Sequence, residues 1–232
     1  KTTNMQNVSE SQMTNNTSFS HLTIAFPIDE KTGASIGILP YSSIGYELNS
    51  RNDEYNADLM YSGDGGISKA YFGGAYQLSD EIAVGANAAY LFGGLNRRKK
   101  LIFNDDSFNT QSNSKINLKG YYYEVGLLYK KNISDNKELS IGFTANNNSE
   151  IIVKRSELVE TVESSGFFEL PKDTSTNTTE WGYVNLPQHI SAGIAYREGK
   201  KLLLVADYSM QNWSEYRLFD ASDNLNNSMR IS

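Results

Sequence analysis

The side chains best suited to covalent chemistry in this 232-residue chain are the two histidines and a serine close to the second one. His189 and Ser191 lie two residues apart on one face of a predicted strand, where a serine nucleophile and its base could sit. Side chains at i and i+2 of a strand are roughly 7 Å apart, beyond the roughly 3 Å that a Ser–His hydrogen bond needs. His21 cannot build a metal site alone, and no paired-histidine or clustered-carboxylate motif occurs. The sequence therefore predicts no enzyme, no metal site and no cofactor.

The composition narrows the possible partners and the possible fold. The formal net charge is −6 and the sequence pI is about 5.0, which argues against nucleic acid. Cysteine is absent, so the chain has neither disulfides nor thiolate sites. The longest apolar run of note, 202–206, is far shorter than the roughly 20 residues of a membrane helix. The low mean hydropathy of −0.49 still permits membrane strands, because these alternate lipid-facing and lumen-facing residues.

Apolar residues recur with period two in several segments, which predicts β-strands with one apolar face. In the segment from Glu81, for example, Ile82, Val84, Tyr90 and Phe92 alternate with small or polar residues. The clearest strands are predicted at 81–92, 121–130, 189–197 and 202–211. Weaker ones are predicted at 21–28, 34–48, 67–78 and 138–147, and a ninth begins near 227–232.

The predicted connections alternate between short and long. Short ones fall near 28–33, 79–81, 131–137 and 197–200, and long polar ones near 1–20, 49–66, 94–118, 148–186 and 219–226. Outer-membrane barrels have short periplasmic turns and long extracellular loops. Aromatic residues also end the strands that enter the short turns, as expected of an interface girdle; they are Phe26, Tyr76, Tyr129 and Tyr196. The pattern predicts an all-β, transmembrane, antiparallel up-and-down β-barrel in the bacterial outer membrane.

Backbone hydrogen bonding indicates that residues 1–232 are one partial barrel. A sheet in lipid must close, and single-chain bacterial barrels have even strand numbers. About nine strands are recognisable here. We therefore expect a first strand before Lys1 and further strands after Ser232, and the sequence carries no signal peptide.

Several motifs resemble the FadL/TodX family of outer-membrane transporters for hydrophobic compounds, especially its Bacteroidetes-type members. The motifs are L-P-Q-H-I-S-A-G-I-A-Y at 186–196, L-L-L-V-A-D-Y-S-M-Q-N-W-S at 202–214, F-P at 26–27, G-A-S-I-G-I-L-P-Y-S at 33–42 and Y-S-G-D-G-G at 61–66. The resemblance implies a barrel of about fourteen strands with an N-terminal plug that precedes Lys1. It also implies passive, ligand-gated uptake of long-chain fatty acids or similar hydrophobic molecules, with lateral exit through the wall.

The resemblance places the lateral opening at a kink in the third strand, which contains Pro40. Proline marks a bulge, an edge or a break in pairing, or simply the end of a short strand. Ligand capture would fall on the long loops 94–118 and 148–186, whose apolar residues form either a groove for an acyl chain or a small core of the loops themselves. These residues are Leu101, Ile102, Phe103, Phe108, Leu158, Val159, Val162, Phe167, Phe168 and Leu170. Leu158, Val159 and Val162 have the spacing of one face of a short helix.

Charged residues complete the predicted site. Glu124 and Asp207 are expected in the lumen, where pairing with Arg197 would satisfy them. The basic run 97–100 is either a head-group attractant or, more in keeping with such runs, a solvated rim or a contact for lipopolysaccharide phosphates. A second hypothesis is a non-transporting barrel that serves as a structural or shuttle subunit of a secretion or surface-protein assembly, with a protein partner. A third is a soluble β-sandwich adhesin.

Overall fold

The computed structural model describes residues 2–6, 11–15, 21–53, 56–103, 108–165 and 168–232. These residues form antiparallel β-sheet almost throughout, with one 3₁₀ turn at Trp213–Glu215. A separate hairpin consists of β1 (Thr2–Gln6) and β2 (Ser11–Asn15). The main sheet contains β3 (Leu22–Pro27), β4 (Thr32–Asn52), β5 (Ala57–Gln77), β6 (Ile82–Phe103), β7 (Asn109–Ser134), β8 (Lys137–Asn146), β9 (Ser149–Ser165), β10 (Phe168–Leu186), β11 (His189–Glu198), β12 (Leu202–Gln211), β13 (Arg217–Leu218) and β14 (Ser228–Ile231). Among the described residues, no helical segment has the length and apolarity needed to cross a membrane.

The main sheet is an up-and-down meander, so the predicted all-β, barrel-like fold is confirmed. Each strand from β3 to β7 pairs with its sequence neighbours, and the described sheet is open between its edges β3 and β14. The long strand β7 pairs with β9 along its first half and with β8 along its second half. Only residues 147–148 separate β8 from β9, and only residues 187–188 separate β10 from β11. β9 therefore continues the direction of β8, and β11 continues that of β10. In both cases two residues interrupt the strand, at similar heights in the sheet.

The predicted long loops at 49–66, 94–118 and 148–186 are wrong, because strands run through nearly all of these residues. β5 and β6, for instance, stay paired from the Gln77–Ala83 pair to the Ala57–Phe103 pair. The predicted loop 1–20 likewise contains β1 and β2. Polar residues occupy both faces of the upper strand segments, which removes the period-two signal on which strand prediction depends. We call the end with these hairpin tips the upper end, and the opposite end the lower end.

The lower connections are tight turns, in agreement with the predicted short connections. In the turn between β3 and β4, a carboxylate oxygen of Asp29 accepts hydrogen bonds from the backbone N–H groups of Lys31 and Thr32, both at 2.8 Å. These bonds, the one from Lys31 first, lower the pKa of Asp29 below its ordinary value of 3.8. Asp29 thus closes the turn through its side chain, as aspartate commonly does.

The concave inner face carries a buried apolar cluster midway along the strands. Its members, which we call the inner cluster, are Ala89, Leu91, Ile116, Tyr122, Ile151, Val153 and Val184. Leu91 and Ile151 are fully buried. The members of the inner cluster come from four neighbouring strands, β6, β7, β9 and β10, so the curl of the sheet brings them together. The core of this molecule therefore lies inside the curled sheet.

The convex outer face carries an exposed apolar band along the lower part of the strands. On β6 the band runs from Ile82 to Phe92, and on β7 it runs from Tyr121 to Tyr129. Those segments are eleven and nine residues long, while β8, β11 and β12 have ten residues each. A tilted membrane strand needs about 9–11 residues, so the apolar band has the height of a hydrocarbon layer.

Candidate functional site

Below the inner cluster, the inner face surrounds an open hollow of about 780 Å³. Its floor is built from glycine and alanine, because small side chains on the inner face leave room. Polar groups at its lining are Ser35, Asn87, Glu124, Thr144 and His189. These residues come from β4, β6, β7, β8 and β11, so the hollow follows the concave side of the sheet across most of its width.

The main ion pair at the hollow joins Lys69 of β5 to Glu124 of β7 across the intervening strand β6. The Lys69 ammonium lies 2.9 Å from a carboxylate oxygen of Glu124 and 5.3 Å from the ring centroid of Tyr122. The side chains of Lys69 and Glu124 are 14% and 31% exposed, so water screens this pair less than a surface pair. Glu124 is thus satisfied by Lys69 and not by Arg197 as the sequence suggested. Asp207 lies over Gly193 of the neighbouring strand, and Arg197 is exposed.

The histidine and serine on β11 are closer than strand spacing suggested. Ser191 Oγ lies 3.3 Å from His189 Nε2, because the imidazole ring leans along the strand toward the hydroxyl. The prediction that these two side chains are too far apart for a hydrogen bond is therefore wrong. The backbone N–H of His189 donates to the Asn146 side chain, which fixes the start of β11 against the end of β8. Within the described part of the chain, no carboxylate lies within hydrogen-bond distance of the imidazole.

Above the hollow, the chain after β12 folds into the concave side and covers the inner cluster. We call residues 212–221 the strap. Tyr216, Leu218 and Phe219 of the strap pack against the inner cluster. Leu218 pairs with Val184 of β10, and the Phe219 N–H donates to the carbonyl of Tyr183. The strap thus adds a short strand and three apolar side chains to the inside of the wall.

Phe219 is the most constrained residue of the strap. Its φ is 52°, a left-handed conformation that non-glycine residues rarely adopt. Its ring lies against Gly182, where any side chain would collide with it, and 4.6 Å from the Arg155 guanidinium. Arg155 is in turn paired with Glu180 at 2.7 Å. Burial also raises the pKa of the Tyr216 phenol above its ordinary value of 10.0, and the Asp223 carboxylate adds to this shift.

Comparison with known families decides what this sheet belongs to. The BamG family model matches residues 1–230, which is nearly the whole chain. This chain belongs to the BamG family. The family is associated with the bacterial outer membrane, in agreement with the predicted location. No curated protein and no solved structure matches the chain.

Membership of the BamG family corrects the resemblance to FadL/TodX transporters, which was wrong. The motifs behind that resemblance lie mostly on strands of the apolar band, such as 186–196 and 202–214. There, small inner residues, apolar outer residues and interface aromatics are required of any membrane strand. These motifs therefore reflect what any membrane β-strand requires. They do not distinguish a transporter from a barrel with another function.

In this BamG-family sheet, most of the predicted ligand-capture residues stand on paired strands, and Phe108 lies just before β7. Leu101, Ile102 and Phe103 end β6, and Leu158, Val159 and Val162 belong to β9, so the predicted helical face does not exist. Val162 is fully buried, whereas Phe108 and Leu170 are each 51% exposed. Phe168 begins β10, and Phe167 lies outside the described residues. The described members of the set are thus distributed along several hairpins.

Pro40 lies within β4, which continues past it to Asn52. The pairing with β5 shifts by one residue between Pro40 and Ser42, so Tyr41 is the extra residue of a bulge. β4 and β5 remain paired on both sides of the bulge. The structure therefore shows a bend at Pro40 and no gap between these two strands.

The strap is the part of the site that sequence reasoning missed. The available signal was the run of large side chains from Trp213 to Phe219, which follows the last clear strand in a stretch otherwise rich in polar residues. Three aromatic residues and a leucine in seven positions are unusual for a solvated loop, and they indicate burial.

Proposed function

We propose that this chain is a wall-forming, non-transporting barrel subunit of an outer-membrane machinery that assembles other β-barrel proteins. Membership of the BamG family supports an assembly role over hydrophobe uptake. The fold then supplies a membrane wall and a surface for partner proteins, and the hollow inside it is a structural consequence of curling the sheet.

The observation that carries the proposal is the covered interior. On the described wall, the inner cluster and the strap lie between the upper end and the hollow. Leu91 and Ile151 of the cluster have no exposed surface, and Phe219 of the strap packs over Gly182. Such a packed layer favours a barrel that acts as a structural subunit over one that conducts a ligand.

The upper hairpins support a role in binding protein partners. On β6, residues 93–103 continue the strand beyond the apolar band, a rise of roughly 30 Å at about 3.3 Å per residue. This part of the wall carries exposed apolar residues such as Leu48, which is 61% exposed. Paired strands hold such residues rigidly, which lowers the entropic cost of binding a partner.

We also propose that the chain has no enzymatic role. His189 and Ser191 approach each other, but a nucleophile–base pair also needs a third group to orient the base and donors for an oxyanion. Among the described residues, no carboxylate forms a hydrogen bond with the imidazole. A Ser191→Ala variant should therefore support outer-membrane assembly as well as the native protein does.

Depletion of the full-length protein tests the main proposal. We expect the outer-membrane content of several folded β-barrel proteins to fall several-fold, while uptake of a radiolabelled long-chain fatty acid per cell changes only in proportion to general envelope damage. Unchanged barrel proteins together with a selective loss of fatty-acid uptake would overturn it.

Site-specific photo-crosslinking tests the partner surface. A photoreactive residue at Leu48, above the apolar band, should crosslink to the barrel-inserting component of the machinery. The matched control is Val125, which is 55% exposed within the apolar band and should crosslink to lipid alone. Equal protein crosslinks from both positions, or none from Leu48 or the neighbouring exposed position Tyr46, would remove the upper hairpins as the partner surface.

A further inference from the structure

We propose that a notch on the outer face, lined by Lys119, Lys154 and Trp181, binds a phosphate group on the head group of an outer-leaflet glycolipid. The notch has a volume of about 210 Å³ and lies where β7, β9 and β10 run side by side. The inference does not depend on the proposed assembly role, because any wall in an outer membrane must contact lipid.

The notch begins where the apolar band ends. Lys119 precedes Tyr121 by two residues on the same face of β7, and Tyr121 is 67% exposed. Tyr121 and Tyr123 are the last outward apolar residues of this strand before its upper segment turns polar. Aromatic residues of this kind mark the interface between hydrocarbon and head groups, so the Lys119 ammonium reaches the head-group layer.

Pairing between strands brings the lining residues together. Lys154 pairs with Asn117 on one side and with Trp181 on the other, so all three lie on one rung of the sheet. Lys119 lies on the next outward rung, opposite Ile152. Two ammonium groups, one side-chain amide and one indole thus face a single depression of the outer surface.

The two ammonium groups of the notch have no ion-pair partner among the described residues and are available to an external anion. Neither Lys119 nor Lys154 has a carboxylate within 4.0 Å among the described residues, whereas Lys69, Lys100, Lys130, Lys131, Lys137 and Lys172 all do. Glu150 lies on the same face but forms no ion pair with either ammonium. An anion between two lysines satisfies both, and a phosphate oxygen can accept from several donors at once.

Trp181 gives the notch its second component. Its side chain is 63% exposed, and the Lys154 ammonium lies 5.3 Å from its ring centroid. The indole holds the ammonium over its face and supplies an apolar wall for the carbon skeleton of a sugar or acyl chain. An amphiphile that carries a phosphate matches this combination better than free phosphate does.

The basic run 97–100, which the sequence singled out for such contacts, is less suited. Arg97 lines a cavity on the concave side together with Tyr216, and Lys100 is paired with Glu169. Side chains of successive strand residues point to opposite faces, so four consecutive cations cannot form one site. The two lysines of the notch lie on two different strands, β7 and β9, so both can point to the same face of the sheet.

Lipid titration in detergent tests the proposal. The probes are diphosphorylated lipid A, the same lipid with its phosphates removed, and inorganic phosphate, and the readout is Trp181 fluorescence, isolated by subtracting the signal of a Trp181→Phe variant. We expect saturable binding of the diphosphorylated lipid, at least tenfold weaker binding of the dephosphorylated lipid, and no response to millimolar inorganic phosphate.

Charge variants locate the site. Lys119→Gln together with Lys154→Gln should weaken binding of the diphosphorylated lipid at least tenfold. The matched control, Lys115→Gln, removes an exposed cation from the same face of β7 without touching the notch and should change affinity less than twofold. Because these positions lie on the wall surface, folding of each variant can be verified by heat-modifiable gel mobility.

Four outcomes would overturn the proposal. Equal binding of both lipids would show that only apolar contact matters. A response to inorganic phosphate alone would assign the notch to a free anion, and equal effects of Lys115→Gln and the double variant would show general attraction by positive charge. Photo-crosslinks from position 181 to a protein, with no phosphate preference among lipids, would assign the surface to a protein partner instead.

Discussion

At the scale of single residues, the ion pair between Lys69 and Glu124 matters most for the inner face. The sequence predicted that Glu124 faces inward, because it alternates with the outward Tyr123 and Val125. It did not predict the partner, because Lys69 is 55 residues away on a strand that is not adjacent to β7. Only the curl of the sheet across β6 brings the two side chains together, and curl cannot be read from alternation.

Removing one partner of this pair should destabilise the full-length protein. Glu124→Ala leaves the Lys69 ammonium, which is only 14% exposed, without its carboxylate, at a cost of about 1–3 kcal/mol. The double variant Lys69→Met/Glu124→Gln should recover at least half of that loss, because no uncompensated charge remains. Urea-unfolding midpoints in detergent measure both effects. If the single and double variants were equally unstable, the charge imbalance would not be the cause.

At the scale of elements, a line of glycines crosses the middle strands next to the Pro40 bulge. Gly65 and Gly66 of β5 lie beside Gly93 and Gly94 of β6, and Gly65 has φ of 127°, which favours glycine. A Cβ on Gly66 would lie 2.8 Å from the Ser42 carbonyl oxygen. The bulge and the glycines lie where the upper hairpins begin, so strand segments with different roles share one element.

A side chain at the centre of this line should therefore disrupt the wall. A Cβ on Gly93 would collide with the backbone carbonyl of Gly66, which cannot move without breaking the β5–β6 pairing. We expect Gly93→Ala to lower stability by about 1–3 kcal/mol and to reduce the folded fraction in the membrane. Gly142→Ala on β8 is the matched control, because no atom lies within 4 Å of its added Cβ. Equal folded yields from the two variants on heat-modifiability gels would argue against a packed glycine line.

The sequence predicted the elements well only where they cross the apolar band. Alternation located β6 between Ile82 and Phe92 because every outward residue there is apolar or alanine. The same strand continues through Asn96 and Arg98, where both faces are polar and alternation disappears. Pairing with neighbouring strands keeps these residues extended, and such tertiary pairing overrides a local pattern that reads as loop.

At the scale of the whole molecule, the strap and the inner cluster separate the hollow from the upper end. The sequence could not show this, because the cluster unites residues from Ala89 to Val184 and the strap returns to it from position 212 onward. Contacts of this sequence separation depend on the curl of the sheet. Family membership was equally hidden, since wall motifs are shared by unrelated barrels.

The separation predicts a closed protein in planar bilayers. Full-length protein should show no stable conductance, whereas Leu218→Ser together with Phe219→Gly should open steps that are at least several-fold above background. Glycine at 219 also suits the left-handed backbone there, so the loss is one of packing and not of backbone fit. Leu48→Ser, an exposed position on β4, is the control and should remain closed. A native protein that already conducts would contradict the occluded interior.

The unequal lengths of the strands give the molecule an uneven rim. β4 to β7 have 21 to 26 residues, while β12 ends after ten and hands the chain inward to the strap. A large molecule on the cell surface would meet a wall that is tall along β4 to β7 and low at β12. Antibodies, phages and proteases would thus reach the strap most directly over the top of β12, and a neighbouring subunit at that flank would cover it.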